Sequence, residues 1–305
     1  MDLLTLKEWD SEIIKQVIDK AIEIKNDKQG YYDILKNRTM IMYFEKASTR
    51  TRLSFEAAMT ELGGHAIFLD KRTSQVSISE LKDEIRAMAR YADIIMARVK
   101  KHKTLVEMVE NIDIPVINGC CEKYHPCQAL ADAMTMIEHE GDLGGKKLVW
   151  LGIANNVSNS LLMTCVKLGA KVTLCIPEKD PDAIDSNLEE KAKKTGLYEE
   201  TTDLSEIKDA DFVYTDTWIN MEFIADPNFA TEKERRVKAL TPFQLNKSLL
   251  DKYGCKAKLM HCMPCHIGYE ITRDAIEHPN SIIFDQAENR LHLQKAVILK
   301  LLAKF

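Results

Sequence analysis

The chain has 305 residues, of which 45% are hydrophobic and 29% are charged, and its formal net charge is −5. This length exceeds what a single hydrophobic core usually supports and predicts about two domains. The net charge gives no basic field for nucleic acid, and no apolar stretch approaches the roughly 18 residues of a membrane span. The eight cysteines are sparse and no secretory segment precedes Leu3, so we expect reduced thiols in a cytoplasmic protein.

The first half of the chain is predicted to alternate strands and helices. An amphipathic helix follows Asp10 and Ser11, which can cap it. Apolar runs then predict strands at 40–44, 65–69, 93–97 and 115–118, with helices at 51–62, 80–91, 103–111 and 126–139. Such alternation is typical of parallel βαβ units.

A polar turn at 140–145 predicts a domain boundary, after which the alternation resumes. The predicted strands are 147–153, 171–176, 211–215, 258–263 and 282–284, and an amphipathic helix ends the chain at 289–305. The predicted fold class is α/β, with two domains that are each a mainly parallel sheet flanked by helices. We expect residues 1–138 and 289–305 to form the first domain and 139–288 the second, with the C-terminal helix packing back on the first.

Hydroxyl and guanidinium groups are concentrated between a predicted strand and a predicted helix, in Ser48-Thr49-Arg50-Thr51-Arg52. Backbone N–H groups at a helix start and the positive end of the helix dipole attract anions, and arginine forks bind phosphate oxygens. The segment therefore predicts a site for a phosphate-like dianion. The alternative interpretation is an ordinary Ser/Thr helix cap with solvated arginines.

Further polar residues of the first half follow predicted strands. Arg98 ends one strand, and His125 and Gln128 lie at the start of the helix that follows the next. In open α/β sheets, ligands bind at the carboxyl ends of strands. His125 can donate to an oxygen that gains negative charge, and Gln128 can hydrogen-bond an amide. A surface arginine and a capping or core histidine are the alternatives.

The second half has its own polar residues after apolar runs. Asn155 and Asn156 follow one run, Asp216 follows another, and His261-Cys262-Met263-Pro264 follows a third, while Arg290 is expected to open the terminal helix after a strand. A dinucleotide site near Gly152 is disfavoured, because the glycine spacing is absent and no acidic residue about 20 positions on ends the expected strand. A zinc site at Cys262 and Cys265 is also disfavoured, since no second pair has finger-like spacing.

Together these motifs resemble the aspartate/ornithine carbamoyltransferase family in order and spacing, over essentially the whole chain. The matching elements are Ser48–Arg52, Arg98, His125–Gln128, Asn156, Asp216, His261–Pro264 and Glu288–Arg290. The Asp216 and Cys262 elements resemble the ornithine branch, because the aspartate branch usually reads His-Pro-Leu-Pro where this chain has His261-Cys-Met-Pro264.

The resemblance implies carbamoyl transfer from carbamoyl phosphate to ornithine in arginine biosynthesis, without metal or organic cofactor. It implies catalytic roles for Arg98, His125, Cys262 and Arg290. For carbamoyl phosphate it implies binding by Ser48, Thr49, Arg50, Thr51, Gln75, Arg98, His125, Gln128, Cys262, Met263 and Arg290. For ornithine it implies binding by Asn156, Asp216, Asn220 and Met221. It also implies a homotrimer in which Gln75 reaches a neighbouring subunit's site.

The chain departs from the family in the loop that binds the amine. The family usually reads Asp-x-x-x-Ser-Met-Gly, whereas this chain has Asp216-Thr-Trp-Ile-Asn220-Met221-Glu222. Asn220 can replace a serine hydroxyl as a hydrogen-bonding group. Glu222 adds charge and bulk where glycine normally gives backbone freedom, so it could favour a different amine.

Two alternatives to ornithine transfer therefore stay open. One is a carbamoyltransferase for another amine such as putrescine, although a diamine lacks the α-carboxylate that Asn156 and Met221 suit. The other is a catalytically silent paralogue that binds carbamoyl phosphate, against which the intact arginines and His125 argue.

Overall fold

The structure is a computed structural model that describes residues 1–221 and 223–305, so that Glu222 lies outside the described residues. Its helices are α1 (Ser11–Asn26), α2 (Thr49–Glu61), α3 (Leu81–Met88), α4 (His102–Asn111), α5 (Pro126–Glu140), α6 (Asn156–Lys167), α7 (Ser186–Lys194), α8 (Ala230–Leu240), α9 (Lys247–Tyr253), α10 (Arg273–Ile276) and α11 (Ile283–Leu301). Its strands are β1 (Thr39–Phe44), β2 (His65–Asp70), β3 (Ile94–Arg98), β4 (Val116–Cys120), β5 (Lys147–Ala154), β6 (Lys171–Lys179), β7 (Tyr198–Thr201), β8 (Phe212–Thr215) and β9 (Lys258–Met260). Within the two described ranges, no helix has the length and apolar character needed to cross a membrane.

The chain divides into two compact units. The first comprises Met1–Met134 and Glu288–Phe305, and the second comprises Thr135–Ala287. The chain passes from one unit to the other within α5 and returns within α11. The predicted domain boundaries, after residues 138 and 288, stay predictions.

The first unit contains a parallel sheet with the strand order β2-β1-β3-β4. Strand order reverses between β1 and β3, and such a switch point leaves a crevice at the carboxyl ends of the two strands. The C-terminal part of α11 belongs to this unit, where Lys25 donates to Asn289 at 2.9 Å and Lys300 donates to Gln16 at 3.0 Å. The unit thus places β1 and β3 where a ligand site is expected.

The second unit contains a parallel sheet with the strand order β7-β6-β5-β8-β9. The central strand β5 is flanked by β6 and β8, so the switch point lies at its carboxyl end. Buried apolar residues such as Val149, Val213 and Leu259 form the core below. With both sheets parallel, the predicted fold class is confirmed.

The predicted strand at 282–284 is wrong. The chain makes a single bridge, Leu259 with Ser281, and then enters α11 at Ile283. A short apolar run fits a buried helix turn as well as a strand, and here Ile283 is buried while Phe284 is 61% exposed. As a consequence, Arg290 lies well inside α11 and does not open that helix.

Strand lengths in the second unit also differ from the prediction. The strand predicted at 258–263 ends at Met260, and the strand predicted at 171–176 continues to Lys179. The edge strand β7 was not predicted, because its sequence Tyr-Glu-Glu-Thr is polar. It is held by pairing with β6 rather than by an apolar pattern of its own.

Position 152 requires a glycine because β5 and the segment after β8 approach each other closely there. Its φ is +111°, and a Cβ at this position would lie 2.7 Å from Trp218 Nε1. The Trp218 side chain is fully buried, so it has little room to move. The absence of a side chain at Gly152 therefore lets the segment after β8 pack directly against β5.

We expect Gly152→Ala to lower the free energy of unfolding by about 2–4 kcal/mol, through backbone strain and the clash with Trp218. Gly196→Ala is the matched control, because its φ is +73° and no atom lies within 4 Å of its added Cβ. The control should lose only about 1 kcal/mol. Urea unfolding of both variants measures the change in the free energy of unfolding. An equal decrease in Gly152→Ala and Gly196→Ala would contradict the role of Trp218.

Candidate functional site

Ser48 caps helix α2 and begins the predicted anion site. Its Oγ accepts from Thr51 N at 3.4 Å and donates to Thr51 Oγ1 at 3.1 Å. Thr51 is buried, whereas Thr49 is exposed. The cap interpretation and the anion interpretation are thus compatible, because a capped helix start still presents N–H groups and a positive dipole end.

The two arginines of this segment have different surroundings. Arg52 donates to Glu56 at 2.9 Å, and its guanidinium lies 3.8 Å from the centre of the Phe68 ring. The positive charge of Arg52 is therefore already paired with the carboxylate of Glu56 on the outer face of α2. Arg50 is only partly exposed and precedes Thr51 in the first turn of the helix. The structure thus places Arg50 in the first turn of α2, where the anion is expected, and pairs Arg52 with Glu56.

A hydrogen-bonded chain of side chains connects α2, α5 and α11. Arg290 donates to Thr51 Oγ1 at 3.3 Å and also to Gln128 Oε1. Gln128 in turn donates through Nε2 to Asp132 Oδ1 at 2.8 Å. All four side chains are buried. Asp132 was not identified from the sequence, although its position four residues after Gln128 on one helix was the available signal.

Arg98 contributes to the positive field of this unit, and His125 lies within that field. The Nε of Arg98 is buried and has no hydrogen-bond partner among the described residues. Burial, together with the charges of Arg290, Arg98 and Lys46, holds the pKa of His125 well below its usual range. His125 is therefore neutral at pH 7 and can donate one ring N–H. Burial raises the pKa of the nearby Cys127 thiol to about 12, so that thiol stays protonated.

Gln75 lies apart from these residues. It begins the short 3-10 turn Gln75–Ser77, and its side chain is exposed. Among the described residues, the structure does not join Gln75 to the chain of Thr51, Arg290 and Gln128. An exposed amide of this kind fits the expectation that Gln75 acts on a neighbouring subunit, which stays a prediction.

In the second unit, Asp216 is held from two sides. Asn155 Nδ2 donates to Asp216 Oδ2 at 2.7 Å, while Thr217 N and Cys262 Sγ donate to Oδ1 at 2.7 and 3.0 Å. Asn155 also caps α6, accepting from Val157 N and Ser158 N. Asn155 therefore supports Asp216, while Asn156 begins the helix itself.

The turn after β9 is held by His261. Its Nδ1 accepts from Met263 N at 2.8 Å, so the ring proton is on Nε2, which lies 3.3 Å from Glu270 Oε1. Both His261 and Glu270 are fully buried. This arrangement fixes the backbone on either side of Cys262. Glu270 was not identified from the sequence as part of the site, whereas Asn155 was noted there together with Asn156.

The remaining predicted residues lie on the segment after β8. Asn220 donates to Asp180 Oδ2 at 3.3 Å, and Met221 is 40% exposed. Asp180 directly follows β6, further along the chain than the spacing of about 20 positions expected for a dinucleotide site. The strand is longer than its apolar run, which hid Asp180 from the sequence analysis.

Asp216, His261 and Cys262 also place one potential metal-ligand atom each within 4.8 Å of one another. Two of these atoms already bond to each other, because Cys262 donates to Asp216. The third residue uses its Nδ1 to hold Met263. We therefore assign these groups to hydrogen bonding and not to an ion.

Two family models match the chain over nearly its whole length. The aspartate/ornithine carbamoyltransferase carbamoyl-P binding domain matches residues 1–138, and the Asp/Orn binding domain of the same family matches residues 144–301. The chain belongs to the aspartate/ornithine carbamoyltransferase family. This confirms the family resemblance inferred from the motifs.

Individual relatives in this family are similar along nearly their whole length. The ornithine carbamoyltransferase of Pyrococcus abyssi is 42% identical over 99% of this chain and 95% of the relative. The anabolic ornithine carbamoyltransferase of Pyrococcus furiosus is also 42% identical, over 97% of this chain and 95% of the relative. A solved structure of ornithine carbamoyltransferase from Pyrococcus furiosus is 40% identical and covers 100% of this chain and 97% of its own, with a TM-score of 0.91.

The neutral state of His125 predicts a pH-dependent contribution to stability. An unfolded histidine takes up a proton near pH 6.5, whereas native His125 does not until well below that pH. The unfolded state therefore binds more protons below pH 6.5, and stability is lost as the pH falls. We expect this residue to contribute a slope of up to about 1.4 kcal/mol per pH unit between pH 6 and pH 5.

Denaturant unfolding of the native protein and of His125→Gln at pH 7, 6 and 5 measures this slope. The variant should lose less free energy of unfolding over that range than the native protein does. Parallel curves would show that His125 is not held neutral in the folded state.

Proposed function

We propose that this protein is an ornithine carbamoyltransferase, which converts carbamoyl phosphate and L-ornithine to L-citrulline and phosphate. The carbamoyl carbon forms a bond to the side-chain nitrogen of ornithine and loses its bond to the phosphate oxygen, and the amine loses a proton. The single observation that supports this most is the buried chain of Thr51, Arg290 and Gln128 beside Arg98 and a neutral His125. These groups suit an acyl phosphate, in which a phosphate group is bonded to a polar carbonyl group.

Carbamoyl phosphate is proposed to bind in the first unit. Its phosphate group would be held by the start of α2, at Ser48, Thr49, Arg50 and Thr51, through backbone N–H groups, hydroxyls and a guanidinium. Arg98 supplies a buried guanidinium N–H that no described residue uses. Such fixed donors stabilise the phosphate leaving group, which departs with its negative charge.

Arg98, Thr51 and His125 are proposed to polarise the carbamoyl oxygen. That oxygen gains negative charge when the amine attacks, and fixed donors in a buried site stabilise this charge more than the ground state. A neutral His125 donates its N–H without adding a charge of its own. Gln128 has its amide nitrogen held by Asp132, and its oxygen, which accepts from Arg290, is proposed to accept from the carbamoyl amide as well.

Ornithine is proposed to bind in the second unit, at Asn156, Asp216, Asn220 and Met221, with Cys262 beside it. An alkyl ammonium has a pKa near 10.4 and must lose a proton before it attacks. Asp216 is a negative group that the protein holds in one orientation through Asn155 and Cys262. A carboxylate fixed in this way suits the ammonium of an amino acid.

The wider setting is proposed on the same grounds. The similar Pyrococcus furiosus protein is named an anabolic ornithine carbamoyltransferase. We propose the corresponding anabolic role, arginine biosynthesis, for this chain. The eight cysteines are free thiols, which suits a cytoplasmic location. The exposed Gln75 suits a homotrimer in which this residue completes a neighbouring subunit's site. Sedimentation equilibrium tests this assembly by measuring its molecular mass.

We expect Arg50→Ala to reduce turnover about a thousandfold or more, because it removes a guanidinium from the proposed phosphate site. Arg52→Ala is the matched control from the same helix turn, since Arg52 already pairs with Glu56. Its turnover should stay within about threefold of the native rate. Steady-state phosphate release measures both, and near-normal activity of Arg50→Ala would contradict the assigned phosphate site.

The amine is tested by phosphate release from carbamoyl phosphate with ornithine, putrescine, lysine, N-acetylornithine and aspartate in separate reactions. The ureido product of each reaction is identified by mass. Turnover with ornithine alone is expected. Turnover with putrescine instead would reassign the substrate, and no turnover with any of the five would favour a silent paralogue that only binds carbamoyl phosphate.

A further inference from the structure

Asp180 is a nearly buried carboxylate at the carboxyl edge of the second sheet. It directly follows β6, and its backbone N–H donates to Ala154 O at 2.8 Å, one residue before the cap of α6. Its side chain and backbone together are 9% exposed. Asp180 therefore lies at the carboxyl end of β6, next to the strand that leads to Asn155 and Asn156.

The carboxylate of Asp180 is satisfied by two hydrogen bonds. Oδ1 accepts from Asp182 N at 3.2 Å, and Oδ2 accepts from Asn220 Nδ2 at 3.3 Å. Within residues 1–221 and 223–305, no lysine, arginine or histidine forms an ion pair with it. A buried charge of this kind depends on its hydrogen bonds, so the contact with Asn220 is energetically important to both partners.

This contact determines which way the Asn220 amide faces. An ionised carboxylate only accepts hydrogen bonds, so the NH₂ group of Asn220 must be the end that faces Asp180. The carbonyl oxygen of Asn220 then faces away from Asp180. A serine hydroxyl, which the resemblance expects at position 220, can donate or accept in either direction, whereas Asn220 is held in one.

We propose that Asp180 is a positioning residue that orients Asn220 so that its carbonyl oxygen accepts a hydrogen bond from the α-ammonium of the amine substrate. This inference rests on the proposed function and deepens it. The substrate class it specifies is an α-amino acid with a free α-ammonium, in preference to an ω-amino acid that lacks this group. Asn220 contacts the substrate, and Asp180 acts through Asn220.

The test compares two amines that differ only in the α-ammonium, L-ornithine and 5-aminopentanoate, at saturating carbamoyl phosphate. Asp180→Asn should raise KM for ornithine about tenfold, which corresponds to one charge-assisted hydrogen bond, and leave KM for carbamoyl phosphate unchanged. For 5-aminopentanoate, kcat/KM should stay within about twofold. The preference for ornithine should therefore fall about tenfold, which a loss of folded protein alone would not cause.

A double substitution separates the pairwise contact from the separate effects of the two residues. Asn220→Asp alone places a second carboxylate against Asp180 and should impair ornithine binding more than Asp180→Asn does. In the double variant Asp180→Asn/Asn220→Asp, the introduced amide donates to the introduced carboxylate, whose second oxygen still accepts from an ammonium. Its kcat/KM for ornithine should return to within about threefold of the native value.

Asp203→Asn is the matched control, since Asp203 caps another 3-10 turn of this unit by accepting from Ser205 N at 2.8 Å. It should leave both kcat/KM values unchanged. The inference would be overturned if Asp180→Asn lowered kcat/KM equally for the two amines, or if the losses of kcat/KM in the double variant were additive. Either result would leave the proposed function intact, provided that the native protein turns over ornithine. No turnover of ornithine by the native protein would instead refute the proposed function, and this inference with it.

Discussion

A carboxylate accepts hydrogen bonds and cannot donate them, and this constraint orients the amides of both units. Gln128 donates to Asp132, Asn155 donates to Asp216, and Asn220 donates to Asp180. In each pair the NH₂ group must face the acid, so the amide oxygen is directed elsewhere. That oxygen meets Arg290 in the first pair and the start of α6 in the second. The polar groups of the proposed sites are therefore fixed before any substrate binds.

Such fixed orientation matters for a reaction that passes through a charged intermediate. A donor already in place stabilises developing charge without a cost of reorganisation, and it does so best where water is excluded. The first unit meets both conditions, because Thr51, Gln128 and Arg290 are buried and mutually bonded. The same burial keeps His125 neutral, so that it acts as a donor without increasing the positive charge around Arg98 and Arg290.

Parallel strand pairing explains why these groups come together within each unit. All strands of a parallel sheet end at one edge, and residues that are distant in sequence meet there. In the first unit this edge carries the segment after β1 and Arg98 at the end of β3. In the second it carries Asn155, Asp180 and Asp216, which follow β5, β6 and β8. The helices supply the caps and buried faces that hold these segments still.

Much of this could be predicted from the sequence, because the signals are local. The alternation of apolar runs and amphipathic helices predicted two parallel sheets, and a cap at Ser48 was one of two interpretations of the residues before a predicted helix. The family motifs at Arg98, His125 and Cys262 determined a carbamoyltransferase relationship. The start of α11 was not predictable, since the run Ile282-Ile283-Phe284 suits a strand and a helix equally. In the fold, the pairing with Leu259 ends at Ser281 and the helix begins at Ile283.

The tertiary structure alone decided which polar groups are partners. Asn155 and Asp216 are 61 positions apart, and Asp180 and Asn220 are 40 apart, so no spacing rule connects them. It also decided that His125 is buried among cations. The physical reason is that propensity and periodicity act over a few residues, whereas burial, hydrogen-bond direction and charge depend on segments that only folding brings together.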